Sequence, residues 1–186
     1  MLDGSRHTLK GSIVINAAGP WVTDILHDVT HTPTAASIRL VRGSHIVTRK
    51  LYDHDRCYFF QGKDGRIIFA IPYEQDFTLI GTTDQDHQGA PGDVVCTDAE
   101  RDYLLDFASR YFAEPVTAED VVWTYSGVRP LVDDGSGRPE AATRGYRFEV
   151  EAGAGQAPLL SVFGGKITTY RHLAASAVDR LVPLVP

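Results

Sequence analysis

Cys57-Tyr58-Phe59-Phe60-Gln61-Gly62-Lys63-Asp64-Gly65-Arg66-Ile67-Ile68-Phe69-Ala70-Ile71 is the stretch that decides the fold class. Two runs of aromatic and β-branched residues flank a loop bracketed by Gly62 and Gly65, a pattern that predicts a β-hairpin. Phe77-Thr78-Leu79-Ile80-Gly81-Thr82-Thr83 reads as the next strand, so antiparallel strands succeed one another and a meander is the economical arrangement. Upstream, Ile38 to Thr48 reads as a strand interrupted at Gly43-Ser44, and Ser12 to Asn16 as a buried strand ending in a tight Gly19-Pro20 loop. Downstream, Val121 to Leu131 is a long strand with a kink at Gly127, Asp133 to Pro139 a polar turn, and Tyr146 to Glu151 and Leu159 to Phe163 the last strands.

Helices are expected at three places. Trp21 to His27 carries apolar residues at helical spacing before Thr32-Pro33 breaks it. Thr97 and Glu100 form a capping-box pattern ahead of Tyr103, Leu104, Phe107, Ala108 and Tyr111, and that helix ends before Pro115. Thr168 to Leu181 carries Leu173, Ala177, Val178 and Leu181 as one stripe. The expected class is therefore α+β, a mostly antiparallel, mixed sheet flanked by helices.

The 186 residues include 18 Lys+Arg against 24 Asp+Glu, a formal net charge of −6, and 43% hydrophobic residues. That is enough apolar material for a real core in one domain, two at most, and it excludes wholesale disorder. The mild acidity supplies no basic stripe for nucleic acid or anionic lipid, so any anion site must be local. Cys57 and Cys96 stand 39 positions apart with no partner spacing for zinc or a disulfide framework, which makes a reducing compartment the default. No apolar run is long enough to span a bilayer, and Met1 to His7 has no apolar signal region.

Four features are candidates for chemistry, each with a structural alternative. Phe163-Gly164-Gly165-Lys166-Ile167-Thr168 places two glycines between a strand and a helix, where backbone N–H groups can face an anion; otherwise it is an ordinary turn with Thr168 as N-cap. Arg129 sits on an otherwise apolar strand between Val128 and Pro130. Burying a guanidinium is costly unless it meets a carboxylate, a phosphate or a ligand oxyanion, so it marks either a structural salt bridge or a binding site. Arg144 at the start of a strand is a candidate of the same kind or a solvated loop cation. His45 lies beside Gly43-Ser44 inside a β run, as a titrating group or as a core histidine satisfied by a carbonyl. His27 and His31 lack a third ligand for zinc, and Asp84-Gln85-Asp86-His87 reads as a solvated turn, so no metal site is expected.

Five segments in series, Asn16 to Trp21, Arg42 to His45, Ile80 to Asp84, Val122 to Leu131 and Leu160 to Arg171, resemble in order and spacing the FAD-dependent, quinone-linked glycerol-3-phosphate dehydrogenases. The resemblance spans almost the whole chain. It implies that residues 1–36 belong with an FAD-binding domain, that 37–163 form a substrate-binding domain, and that 164–186 are a flavin-facing Gly-Gly loop and a helix returning to the FAD domain. That family opens with a GxGxxG that grips the FAD pyrophosphate. No such fingerprint occurs in this chain, so the expectation is a middle fragment that neither retains FAD nor turns over by itself.

The same resemblance implies roles. His45 is the candidate general base for the substrate hydroxyl, and Arg129 is both catalytic and substrate-binding. Arg144 and Lys166 bind substrate, while Gly19, Pro20, Trp21, Gly164, Gly165, Lys166 and Thr168 contact the cofactor. Lys166 and Thr168 would stabilise negative charge on the flavin. One departure is Gly145, where the resemblance implies an acidic residue beside Arg144. The implied reaction oxidises sn-glycerol 3-phosphate to dihydroxyacetone phosphate and hands the electrons to a quinone, in a cytoplasmic enzyme held peripherally at the membrane, with a homodimer allowed. Competing readings are a related FAD-dependent amine or 2-hydroxy-acid oxidase, in which one arginine binds a carboxylate, and a non-catalytic substrate-binding module.

Overall fold

The computed structural model describes residues 4–63, 65–133, 135, 137, 142–153 and 155–184. In chain order its strands are β1 (Val14–Asn16), β2 (Ile38–Arg49), β3 (Tyr58–Gln61), β4 (Ile67–Tyr73), β5 (Phe77–Gly81), β6 (Gln85–Asp86), β7 (Val121–Val132), β8 (Tyr146–Glu151) and β9 (Leu159–Gly164). Helices are α1 (Val22–Asp24), continued by a wide turn over Ile25–Thr30, then α2 (Asp98–Ser109) and α3 (Tyr170–Leu181). The predicted hairpin is β3 and β4, paired from Tyr58↔Ala70 to Gln61↔Ile67, and β5 adds to β4 as the meander requires. The tip of the hairpin includes Asp64, and much of the expected Asp133–Pro139 turn likewise lies outside the described residues.

β2 is the spine of the larger, antiparallel sheet. One edge pairs with β7 from Ile38↔Val132 to Thr48↔Val121, and the other is shared by β5 and β6. The smaller sheet runs β1-β9-β8, with β1 parallel and β8 antiparallel to β9. The expected boundary after residue 163 falls inside β9. An α+β fold of mostly antiparallel, mixed sheet with flanking helices is what forms.

Packing follows from side-chain alternation. Ile46, Phe60, Ile68, Ala70 and Ile80 project from one face of the larger sheet onto Leu104, Leu105, Phe107 and Ala108 of α2. β9 is covered on both faces. Leu159 and Phe163 meet Val22 and Leu26, while Leu160 and Val162 meet Ala177 and Leu181 of α3. Each such fully buried aliphatic or aromatic side chain stabilises the fold by about 1.5–3 kcal/mol. No helix among the described residues is long and apolar enough to cross a membrane.

Five local expectations are corrected. β2 runs through Gly43-Ser44 without a break, and its irregular pairing with β7 falls between Val47 and Thr48. β1 is not buried, because it is an edge strand: Val14 and Ile15 are about half exposed and only Asn16 is enclosed. Thr168 does not cap α3; it lies inside a 3-10 turn (Ile167–Thr169), and Thr169 precedes the helix. Val178 points outward, since Leu173, Ala177 and Leu181 repeat every four residues and Val178 is one step of about 100° beyond them. Finally, Gln85-Asp86 is solvated as expected but forms a short strand on β2 rather than a turn.

Candidate active site

Register brings the candidate groups of the larger sheet together. Tyr125, Gly127 and Arg129 on β7 stand opposite His45, Gly43 and Val41 on β2, and His45 also stands opposite Gly81 on β5. Period-two alternation puts these residues on the face away from α2, while Arg42, Ser44 and Ile46 point toward it. Two glycines make the site possible: a Cβ at Gly43 would overlap the Arg129 guanidinium, and one at Gly81 would overlap the His45 ring.

Arg129 crosses Gly43 and donates from Nη1 to the Thr83 carbonyl (3.3 Å) and to Asp84 Oδ1 (3.1 Å), and from Nη2 to Thr82 Oγ1 (3.0 Å). Arg144 Nη2 donates to the same Asp84 Oδ1 at 3.2 Å. One carboxylate oxygen thus joins two guanidinium groups from different elements. Asp84 is well shielded, its side chain 16% exposed, so the expectation of a solvated turn at Asp84–His87 fails at its first residue. Arg144 is correspondingly not a free loop cation. The orienting carboxylate that Gly145 does not supply comes from a segment 60 residues earlier.

His45 stacks on Tyr125 with ring centroids 4.8 Å apart and planes 4° from parallel. Its Nδ1 is buried with no hydrogen-bond partner among the described residues, so it is not a core histidine satisfied by a carbonyl. Burial, and then the positive charge of Arg129, hold its pKa below the usual 6.5. At neutral pH the imidazole is uncharged and able to accept a proton. Burial and the nearby Arg144 also pull Arg129 below its ordinary value, with Asp84 acting against them. An arginine stays charged throughout.

A buried polar network pins the loop beneath Arg129. Glu100 Oε1 accepts from Thr83 Oγ1 (2.8 Å), Ser44 Oγ (2.9 Å) and Arg42 Nε (3.2 Å), and Oε2 from the Thr97 hydroxyl (2.8 Å) and amide (3.2 Å). Ser44 N–H donates in turn to Thr83 Oγ1. Burial alone would raise the Glu100 carboxyl, but the donors, Thr97 first, outweigh it and hold the group below the usual carboxylate range.

The smaller sheet supplies the remaining candidates. Arg144, Gly145, Tyr146, Lys166, Thr169 and His172 line a cavity of about 340 Å³, which brings Lys166 beside Arg144. Gly164 (φ 73°) and Gly165 (φ 97°) occupy the left-handed region that favours glycine, and a Cβ on Gly164 would stand 2.8 Å from the Gly145 carbonyl. The Gly165 N–H donates to that carbonyl at 3.0 Å, so it is not the ligand-facing donor the Gly-Gly pattern suggests. Thr168 is exposed. Gly19, Pro20 and Trp21 form a 3-10 turn that packs against β7 and β9.

β1 and β9 are parallel neighbours, so the Gly19 and Gly164 turns leave the sheet at the same end, where open α/β sheets take their ligands. Gly19 (φ 58°) has open space where a Cβ would stand. Glycine turns at paired strand ends, with Lys166 close by, fit one wall of a flavin dinucleotide cradle. Asp84, Tyr125, Glu100 and His172 were not among the residues expected at the site. Asp84 and Tyr125 stand inside the resembling segments without a role of their own, and Glu100 was marked only as part of a capping box, a signal of a helix end.

Residues 3–171 match the family model described as FAD dependent oxidoreductase. The chain is 46% identical over 181 residues to a glycerol-3-phosphate dehydrogenase of Pseudomonas aeruginosa, covering 97% of this chain and 35% of that protein. It is 46% identical over 183 residues to a D-erythritol 1-phosphate dehydrogenase of Brucella abortus, covering 98% of this chain and 36% of that protein. The crystal structure of a Bacillus halodurans glycerol-3-phosphate dehydrogenase complexed with FAD superposes with a TM-score of 0.79 at 31% identity, over 98% of this chain and 34% of that one. The chain therefore spans about a third of the length of the relatives it matches.

Proposed function

Since the chain belongs to the FAD-dependent oxidoreductase family, we propose that it is the substrate-binding part of a dehydrogenase that oxidises sn-glycerol 3-phosphate to dihydroxyacetone phosphate. The observation that carries this reading is the cationic cluster of Arg129 and Arg144, with Lys166 across the adjoining cavity, set in a chain of net charge −6. Guanidinium forks suit phosphate oxygens, and three cations suit a dianion better than a monocarboxylate. The names of the relatives support a phosphorylated polyol over an amine or a 2-hydroxy acid.

In this reading Arg144 and Lys166 take the phosphate from either side of their cavity. Arg129, fixed by Thr82, Thr83 and Asp84, orients the polyol and offsets the negative charge that develops on its oxygen. His45, neutral at pH 7, accepts the hydroxyl proton as the carbon loses its hydride. Bound FAD supplies the hydride acceptor, and the Gly19–Trp21 and Gly164–Lys166 turns would hold it. The resemblance of the five segments supports a quinone as the onward electron acceptor and a place for the whole enzyme at the cytoplasmic face of a membrane.

Calorimetric titration of the chain with glycerol 3-phosphate, glycerol and lactate tests the reading. Binding of the phosphate ester alone is expected; equal heats for all three would end it. The equal similarity to the D-erythritol 1-phosphate dehydrogenase supports a second reading, a longer polyol phosphate on the same cations. Adding D-erythritol 1-phosphate to the titration separates the two by rank order of affinity.

A further inference from the structure

Among the described residues, Asp84 is the acidic group in contact with both arginines of the site. Its Oδ1 accepts from Arg129 Nη1 and Arg144 Nη2 at nearly equal distances, 3.1 and 3.2 Å. The two cations repel each other, the effect that helps pull Arg129 below its ordinary value. Arg129 has three acceptors and a strand to hold it. Arg144 stands in the irregular segment before β8, and Asp84 is the acceptor that ties it to the larger sheet.

Asp84 is itself held from behind. It follows Thr83, which is buried, bonded through its hydroxyl to Glu100 and paired through its backbone with Ser44 of β2. Its position is therefore set by the larger sheet and α2, while Arg144 leads into the cavity with Lys166 on the smaller sheet.

We propose that Asp84 is a positioning residue: it clamps Arg129 and Arg144 through one shared oxygen at a fixed separation, so that the two guanidinium groups meet a phosphorylated polyol as a single preorganised platform spanning both sheets. This rests on the phosphate reading above. The clamp costs attraction, because a carboxylate beside the site repels an anionic ligand, and it gains order, because Arg144 is held before the ligand arrives.

The two effects oppose each other in the variant that removes the charge and keeps the shape. If Asp84 mattered only through its charge, Asp84→Asn would bind glycerol 3-phosphate more tightly. As a clamp, exchanging the charged oxygen for a neutral amide oxygen weakens both of its charge-assisted hydrogen bonds, Arg144 is held less firmly, and binding weakens by about fivefold or more. Asp84→Glu keeps the charge but shifts the oxygen by a methylene, so the clamp predicts weaker binding there too, whereas a charge role predicts none. Calorimetry with glycerol 3-phosphate, together with arginine side-chain ¹⁵N spectra of the chain, reads both.

The expected result is weaker binding by both variants, with the Arg144 guanidinium signal moving toward its solvent-averaged position in Asp84→Asn. Wild-type affinity in Asp84→Glu, or tighter binding in a folded Asp84→Asn, overturns the clamp. Should Asp84→Asn fail to fold, Asp84→Glu decides alone. If the wild-type chain does not distinguish glycerol 3-phosphate from glycerol, the phosphate reading falls and the clamp with it; if it does and both variants match it, only the clamp falls.

Discussion

Arg129 and Gly43 act as a pair at the level of single residues. A methyl group at Gly43 would displace the end of a flexible side chain rather than backbone, so Gly43→Ala should cost little stability, about 1 kcal/mol or less by urea melt, yet weaken phosphate binding nearly as much as Arg129→Met. A variant that lost stability and kept affinity would show that the guanidinium position is unimportant. His45 offers an independent reading. Its imidazole resonance should titrate with a midpoint below 6.5, and in Arg129→Met the midpoint should move up, because one of its two depressing causes is gone. His45 and Arg129 were visible in the sequence because each interrupts an apolar β run with a group that burial penalises. The role of Asp84 was not legible, although it ends one of the resembling segments. Its neighbours Gln85, Asp86 and His87 have turn composition, and its partners lie 45 and 60 residues away in the chain.

At the scale of elements, α2 does more than cover a sheet face. Its capping box was legible as Thr97 and Glu100, but the same Glu100 side chain also reaches Thr83, Ser44 and Arg42, because β2 and the loop after β5 pack beside its first turn. Nothing local in the sequence announces that second use. Glu100→Ala leaves those donors without their acceptor and should destabilise the chain by about 3–5 kcal/mol in denaturant titrations, with Glu100→Gln costing less. The pH sign follows from the lowered carboxyl. The charged form is favoured in the folded state, so its stabilisation is present above the ordinary value of 4.5 and lost as pH falls through the lower folded value. Wild type should lose stability over that acid range more steeply than Glu100→Gln; parallel curves would show that Glu100 carries no such linkage. The hairpin, the meander and the α3 stripe were legible because they rest on local periodicity. The edge position of β1 and the unbroken course of β2 rest on which strands become neighbours, which periodicity does not record.

Across the whole molecule, the two sheets meet through apolar packing of Ile38 and Val132 against the core of Leu159 and Phe163, and beside it through Asp84, which joins Arg129 to Arg144 inside a chain of net charge −6. The overall charge offered no general attraction for polyanions and hid the local site, since Arg129 and Arg144 meet at Asp84, and Arg144 and Lys166 line one cavity, only once β7, β8 and β9 are in place. Attraction at such a partly exposed site should weaken with salt, as the Debye length shortens from about 30 Å at 0.01 M to about 8 Å at 0.15 M. The central claim is that these cations form a phosphate site, and the most direct measurement is calorimetric titration of wild type and Arg129→Met with glycerol 3-phosphate and with glycerol. The account predicts that wild type binds only the phosphate ester and that Arg129→Met binds it at least about tenfold more weakly, the equivalent of about 1.4 kcal/mol. Equal affinity of the two proteins for glycerol 3-phosphate would contradict it.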